Sequence, residues 1–248
     1  MTNPVLRFVA LVVAATLLTA CSRNDAASKA SRTATANGTL ASPSDSATVS
    51  NPTAVSTPAP SDSITDRADR GRILGDSKAA VWVVMVSDFQ CPYCKQWHDA
   101  AFQQIMKTYV NTGRVHLAFV NMPLSIHPNA VPAAEAAMCA SVQDKFWPLH
   151  EALFATQKQW EHLPNAVPMF DSLAKSLKVN MDPWHQCMTQ HSVRSLIQAD
   201  HDRAYASHIN STPAFFVGDQ ALAGADADIP AAIEAALAKA KGAKKPGT

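Results

Sequence analysis

Val81-Trp-Val-Val-Met-Val86 is a run of six large apolar residues with no polar interruption. Its length and β-branched content predict a strand buried on both faces. From Cys91 to Asn111 the period changes: Trp97, Phe102, Ile105, Met106 and Tyr109 recur at helical spacing, and Gly113 supplies a stop. Val115–Val120 then reads as a second strand, so the three segments predict a βαβ unit. Residues 129–209 carry helical signals over Ala130–Val142, Asp144–Thr156, Val167–Leu177, Asp182–Gln190 and Ser192–His208, with Pro164, Pro168 and Pro183 as punctuation. After Thr212-Pro213 come a short strand, Ala214–Val217, a Gly218-Asp219 turn, a return strand, Gln220–Ala223, and a last amphipathic helix, Ile229–Lys241. No internal repeat is visible. The class is α/β, with a folded domain over residues 70–242.

The N-terminal part follows other rules. Phe8–Ala20 is an uncharged apolar run of 13 residues. As a helix it would rise only about 20 Å, short of a bilayer core of roughly 30 Å, so it reads as the apolar part of a signal peptide. Residues 22–69 are mostly Ser, Thr, Ala, Pro and Asn; before Ile64 the only large aliphatics are Leu40, Val49 and Val55, and there is no aromatic residue. Such a stretch cannot bury enough apolar area to offset its ordering entropy, and it is expected to be a disordered tether. Leu18-Thr19-Ala20-Cys21 resembles the bacterial lipoprotein signal. The resemblance implies cleavage after residue 20, acylation of Cys21, and anchoring on the periplasmic side of the envelope. Ser22 after the acylated Cys suggests the outer membrane. Acyl chains contribute about 0.8 kcal/mol per buried CH₂, enough for two or three to hold a protein stably.

Charge and cysteine content narrow the chemistry. The net charge is +1, from 21 basic and 20 acidic residues, which argues against nucleic acid as a partner. There are 5 Cys, an odd number that an acylated Cys21 makes even. Cys91-Pro92-Tyr93-Cys94 directly follows a predicted strand and opens a predicted helix. Two thiols at i and i+3 there can close a small redox-active disulfide. The first faces unsatisfied backbone N–H groups and the positive end of the helix dipole, both of which favour thiolate. The second lies one turn inward and is the natural resolving thiol. Pro92 fits a first helical turn, where its missing N–H costs nothing. No second CxxC or HxxxH pair accompanies it, so no metal site and no cofactor are expected.

Phe89-Gln-Cys-Pro-Tyr-Cys94, Thr212-Pro213 ahead of an aromatic strand, and the helical stretch between them resemble the DsbA-like thioredoxin-fold proteins over about residues 70–241. The resemblance implies a thioredoxin fold: a mixed central sheet with a large helical insertion, about 125–209, between the CxxC helix and the cis-Pro strand. It implies thiol–disulfide exchange with exported, Cys-bearing, partly folded proteins and with a membrane redox partner. Cys91 would attack, Cys94 resolve, the Pro92-Tyr93 dipeptide tune the pair, and Thr212 with a cis Pro213 hold an extended substrate by strand addition. Many relatives carry a buried acid six residues before the first Cys; here that position is Met85. Two Cys then remain in an oxidising compartment, Cys139 and Cys187, and a structural disulfide between them is expected.

Other residues read more plainly. His98 and His127 are taken as a helix-surface and a loop histidine, Asp88 as a polar strand end, and Phe146, Trp147, Leu149 and Phe154 as core. Two alternatives to disulfide formation stay open. One is a reductase or isomerase on the same fold. The other is a copper- or metal-handling accessory that uses Cys91, Cys94 and His98 as ligands.

Overall fold

A computed structural model describes residues 62–243. The first element, α1 (Ile64–Gly71), lies within the stretch the composition assigned to the tether, so ordered structure begins before residue 70. The reason is local. Ser63 Oγ accepts from Asp66 N at 3.1 Å, and the Asp66 carboxylate accepts from Ser63 N at 3.2 Å, a reciprocal capping box. Gly71 ends the helix against α4 (Ala130–Ser141), where any Cβ would collide with Ser141, whose hydroxyl donates to Ala68 O at 2.6 Å.

The sheet has five strands in the order β1-β3-β2-β4-β5. They are β1 (Ile73–Leu74), β2 (Val81–Ser87), β3 (Val115–Asn121), β4 (Ala214–Val217) and β5 (Gln220–Ala223). β2 and β3 are parallel, with Val83 opposite Leu117 and Met85 opposite Phe119; the other neighbours are antiparallel. The βαβ unit and the terminal hairpin thus stand where the hydrophobic pattern put them. One detail differs: β2 is not buried on both faces along its whole length. Trp82 is 44% exposed and stacks on His116 at 4.2 Å between ring centroids. At the strand's outer end a flat indole over an imidazole replaces core packing.

The helix that follows β2 begins as α2 (Pro92–Trp97), continues through a wide π turn (His98–Phe102), a short α turn, α3 (Gln103–Ile105), and a second π turn (Met106–Val110). After β3 the insertion comprises α4, α5 (Phe146–Ala155), α6 (Gln157–Trp160), α7 (Val167–Ser176), α8 (Met181–Thr189) and α9 (Arg194–Ala206). The closing helix is α10 (Ile229–Ala243), packed on β2 and β4.

Two covalent or ionic ties hold the insertion. Cys139 on α4 and Cys187 on α8 are joined by a disulfide, with 5.8 Å between Cα atoms. Small Ala neighbours on α4 permit that approach. Asp200 on α9 is fully buried and accepts from the Arg72 guanidinium, from Asn121 N and Nδ2 at 3.1 and 3.0 Å, and from Arg203 at 2.5 Å. Arg72 also donates to Phe119 O at 3.0 Å, so this network fastens α9 to β3 and to the segment after α1. No helix among the described residues is long and apolar enough to cross a membrane.

Candidate active site

β2 ends at Ser87, and the chain reverses into α2 within four residues. Asp88 makes that turn. One of its carboxylate oxygens accepts from Gln90 N at 2.8 Å; the other accepts from Leu124 N at 2.9 Å and from His127 Nδ1 at 2.6 Å. Asp88 is therefore more than a polar strand end: it is 2% exposed and binds the CxxC turn to the loop after β3. His127, read from sequence as a plain loop residue, is its ion-pair partner. That pairing first of all, with a smaller contribution from the nearby Cys91, raises the His127 pKa above its ordinary value.

Further polar side chains tie the turn to the insertion, two from the insertion and one from the turn itself. Gln157 Nε2 donates to Phe89 O at 2.7 Å and to Cys91 O at 3.1 Å. Gln90 Nε2 donates to Glu161 O at 2.5 Å, and its Oε1 accepts from Asn129 N at 2.6 Å. Asn129 Nδ2 in turn donates to Leu163 O at 2.8 Å. Nothing in the local sequence marks Gln157 or Asn129. Their partners lie tens of residues away, beyond the reach of periodicity.

Cys91 is the N-cap residue of α2, with Pro92 in the first turn. Cys91 and Cys94 are both free thiols, 3% and 1% exposed. Their environments push them in opposite directions. The hydrogen bond from Cys94 is the main influence holding the Cys91 pKa down, from 9.0 to about 6. Thr212 and the backbone N–H groups of Cys94 and Tyr93 add to it, and burial opposes it. Burial, first of all, and the neighbouring Cys91 raise Cys94 well above its ordinary value. Asp88 N donates to Cys94 Sγ at 3.5 Å, a partial counterweight. The result is one thiol that ionises near neutral pH and one that stays protonated behind it. No acid underlies the pair at Met85, which is 1% exposed between Phe119 and Phe215 in the sheet.

Across from Cys91 runs the loop into β4. The Thr212–Pro213 peptide bond is cis, and Thr212 O lies 3.4 Å from Cys91 Sγ. Tyr93, 62% exposed, and Thr212 both line a shallow depression with Gln96, Ser211 and Gly224. The residues singled out from the sequence at 91–94 and 212–213 thus come together at one surface. Cys139 and Cys187 sit apart in their disulfide, and Cys21 lies outside the described residues. His98 departs from its surface reading. It is 7% exposed, and the groups gathered around it are His150 and Glu151. Among the described residues Cys91, Cys94 and His98 form no common ligand set.

Comparison with known proteins agrees with this geometry. A thioredoxin family model matches residues 67–236. Disulfide bond formation protein D of Bacillus subtilis is 30% identical over 152 residues, which is 60% of this chain and 68% of that protein. An Na(+)/H(+) antiporter, NhaA 3 of Salinispora tropica, is 33% identical over 150 residues, but the chain spans only 22% of its length. Among solved structures, oxidised BdbD from Bacillus subtilis superposes with a TM-score of 0.61 at 30% identity, covering 68% of this chain and 94% of that one. Wolbachia pipientis α-DsbA1 matches in fold, with a TM-score of 0.63 at 21% identity, over 70% of this chain and 94% of that one. With the five-stranded mixed sheet, the helical insertion after β3 and the family match over 67–236, the chain belongs to the thioredoxin family, in its DsbA-like form.

Proposed function

We propose that this protein is a thiol:disulfide oxidoreductase that forms disulfides in exported proteins, with Cys91 as the attacked and attacking sulfur and Cys94 as the resolving thiol. The observation that carries the reading is the split between the two thiols, Cys91 lowered to about 6 and Cys94 raised. In the forward direction a substrate thiolate attacks Cys91 Sγ of the oxidised pair. The Cys91–Cys94 bond breaks, a mixed disulfide forms, and Cys94 leaves as a thiolate that takes up a proton. A second substrate thiolate then attacks the substrate sulfur of the mixed disulfide and expels Cys91 as thiolate. A low-pKa thiol leaves faster, so this second step is favoured. The substrate loses two electrons and two protons, and the protein gains the two electrons. A membrane redox partner must remove them to restore the disulfide.

Thr212 O and the open depression beside it suit an extended peptide laid along the loop before β4. The relative from Bacillus subtilis is named for disulfide bond formation, which favours the oxidising direction over reduction or isomerisation. We place the domain outside the cytoplasm, tethered through acylated Cys21 at the membrane surface that Ser22 suggests, the outer one. The test of function is reactivation of a reduced, unfolded disulfide protein, together with the equilibrium potential of the Cys91/Cys94 pair against glutathione. A potential well above that of the glutathione couple, with activity lost in Cys91→Ala, supports an oxidase. A potential well below it would make the protein a reductase. For the anchor, Cys21→Ala should release the protein from membranes.

A further inference from the structure

We propose that His98, His150 and Glu151 form a site for one divalent transition-metal ion of the zinc type, set between the helix that carries the Cys pair and α5. The three donor atoms lie within 4.8 Å of one another. His98 Nε2 is 3.4 Å from Glu151 Oε1, and His150 Nδ1 is 3.9 Å from the same oxygen. Two ligands each about 2.1 Å from a tetrahedral zinc stand about 3.4 Å apart, so small side-chain adjustments complete the shell.

The second observation is that these atoms lack other partners. His150 is fully buried, and neither of its ring nitrogens has a hydrogen bond. Its neighbours are aromatic: Phe89, Phe102, Phe119, Phe146, Trp147 and Phe154. His98 Nε2 and Glu151 Oε1 are likewise buried and unpartnered. Buried polar groups are almost always paired, and three such atoms around one spot, one from each residue, call for an occupant. The far sides of His98 and Glu151 are already oriented. His98 Nδ1 lies 3.3 Å from Asp99 Oδ1, the carboxylate–histidine arrangement that fixes a ligating ring. Glu151 Oε2 accepts from Gln103 Nε2 at 3.0 Å, leaving Oε1 for the ion.

Two imidazoles and one carboxylate suit zinc and its neighbours in the first transition row, whereas calcium and magnesium call for all-oxygen shells. The Glu151 side chain is 38% exposed, which gives the ion a path in and a water a place to complete the shell. Because His98 follows Cys94 by four residues, an ion here would brace the redox helix against the insertion without touching either thiol.

The experiment uses the full chain in a Cys21→Ser background, with Cys91–Cys94 and Cys139–Cys187 oxidised so that no thiol can bind. After chelator treatment it is titrated with Zn²⁺ by calorimetry and with Co²⁺ by visible absorption. We expect one equivalent bound, with affinity falling at least tenfold in Glu151→Gln and in His98→Gln. Glu151→Gln alters a part-exposed carboxylate without changing its shape, so it keeps the test valid if a histidine variant folds poorly. No saturable binding by the oxidised protein, or one equivalent held as tightly by both variants, would overturn the site.

Discussion

Titrating the reduced protein with an uncharged alkylating agent tests the Cys91 thiolate directly. With a pKa of about 6 against an ordinary 9.0, half of Cys91 is ionised at pH 6. An unperturbed thiol would be ionised to about one part in a thousand there, so the thiolate fraction rises about 500-fold. Nucleophilicity falls as the pKa falls, with a Brønsted slope of about 0.4–0.5, which over three units takes back about 15- to 30-fold. The net expectation at pH 6 is a rate about twenty-fold above that of a free cysteine. At about pH 7.5–8 the order inverts, because Cys91 is by then almost fully ionised while the free thiol, the stronger nucleophile, keeps gaining thiolate. Rates are followed by mass spectrometry, which also identifies the labelled residue. The same shift has a stability consequence. A folded pKa below the unfolded one stabilises the reduced protein fully above pH 9, and this contribution is lost as pH falls through about 6. At pH 7 it amounts to about 1.4 kcal/mol, or about 30 mV in favour of the reduced pair. A rate midpoint at or above pH 8.5, or equal labelling of Cys94, would refute the reasoning.

Three other outcomes follow from the packing. Replacing Cys139 and Cys187 by Ala opens a loop with a sequence separation of 48, and chain entropy sets the loss near 4 kcal/mol in denaturant unfolding, with Cys91 reactivity unchanged. A loss below about 1 kcal/mol would show that the insertion holds without the bond. Asp200→Ala strands Arg72, itself 4% exposed, without its buried partner and should cost about 3–5 kcal/mol; an unfolding midpoint like that of the parent would contradict this. In Asp88→Asn the His127 pKa, followed by NMR, should fall toward 6.5. A raised histidine pKa stabilises below the unfolded value and is lost as pH rises through the folded one, so the parent, but not the variant, should lose stability across that window.

Much of this was legible in the sequence because it depends on neighbours along the chain. The apolar run before Cys91, the helical spacing after it and the Pro-punctuated helices of the insertion each encode one local element. β1, with two residues, and α6, with four, are too short to leave a periodic trace. α1 did leave one, the Ser63/Asp66 capping box, but it sits at the end of a stretch whose composition argues for disorder. His98 is the instructive error. It stands four residues after Cys94, and a helix face that buries Cys94 must bury that neighbour too. His150 was equally exposed to inspection: it shares a face with Phe146, Leu153 and Phe154, so an apolar stripe already enclosed it. Asp88 could not be read this way, since its partners Leu124 and His127 arrive only with the tertiary fold.

The two thiols differ by three residues in sequence, yet their chemistry diverges because the fold treats them as cap and interior. Cys91, as N-cap, has backbone N–H groups and Thr212 on its open side, and Cys94 supplies it with a proton donor. Cys94 receives burial and the charge of Cys91. The states reinforce each other: the thiolate at Cys91 is stabilised by the proton that Cys94 retains, and Cys94 retains it first because it is buried and then because Cys91 is beside it. That coupling makes the clamp on the turn consequential. Gln157, Gln90 and Asp88 fix the carbonyls and amides around Cys91, so loosening them should move both pKa values toward each other. Gln157→Ala separates this account from a purely structural one. It should raise the pH midpoint of Cys91 alkylation, whereas a role confined to packing would lower the unfolding midpoint and leave the pH profile where it was.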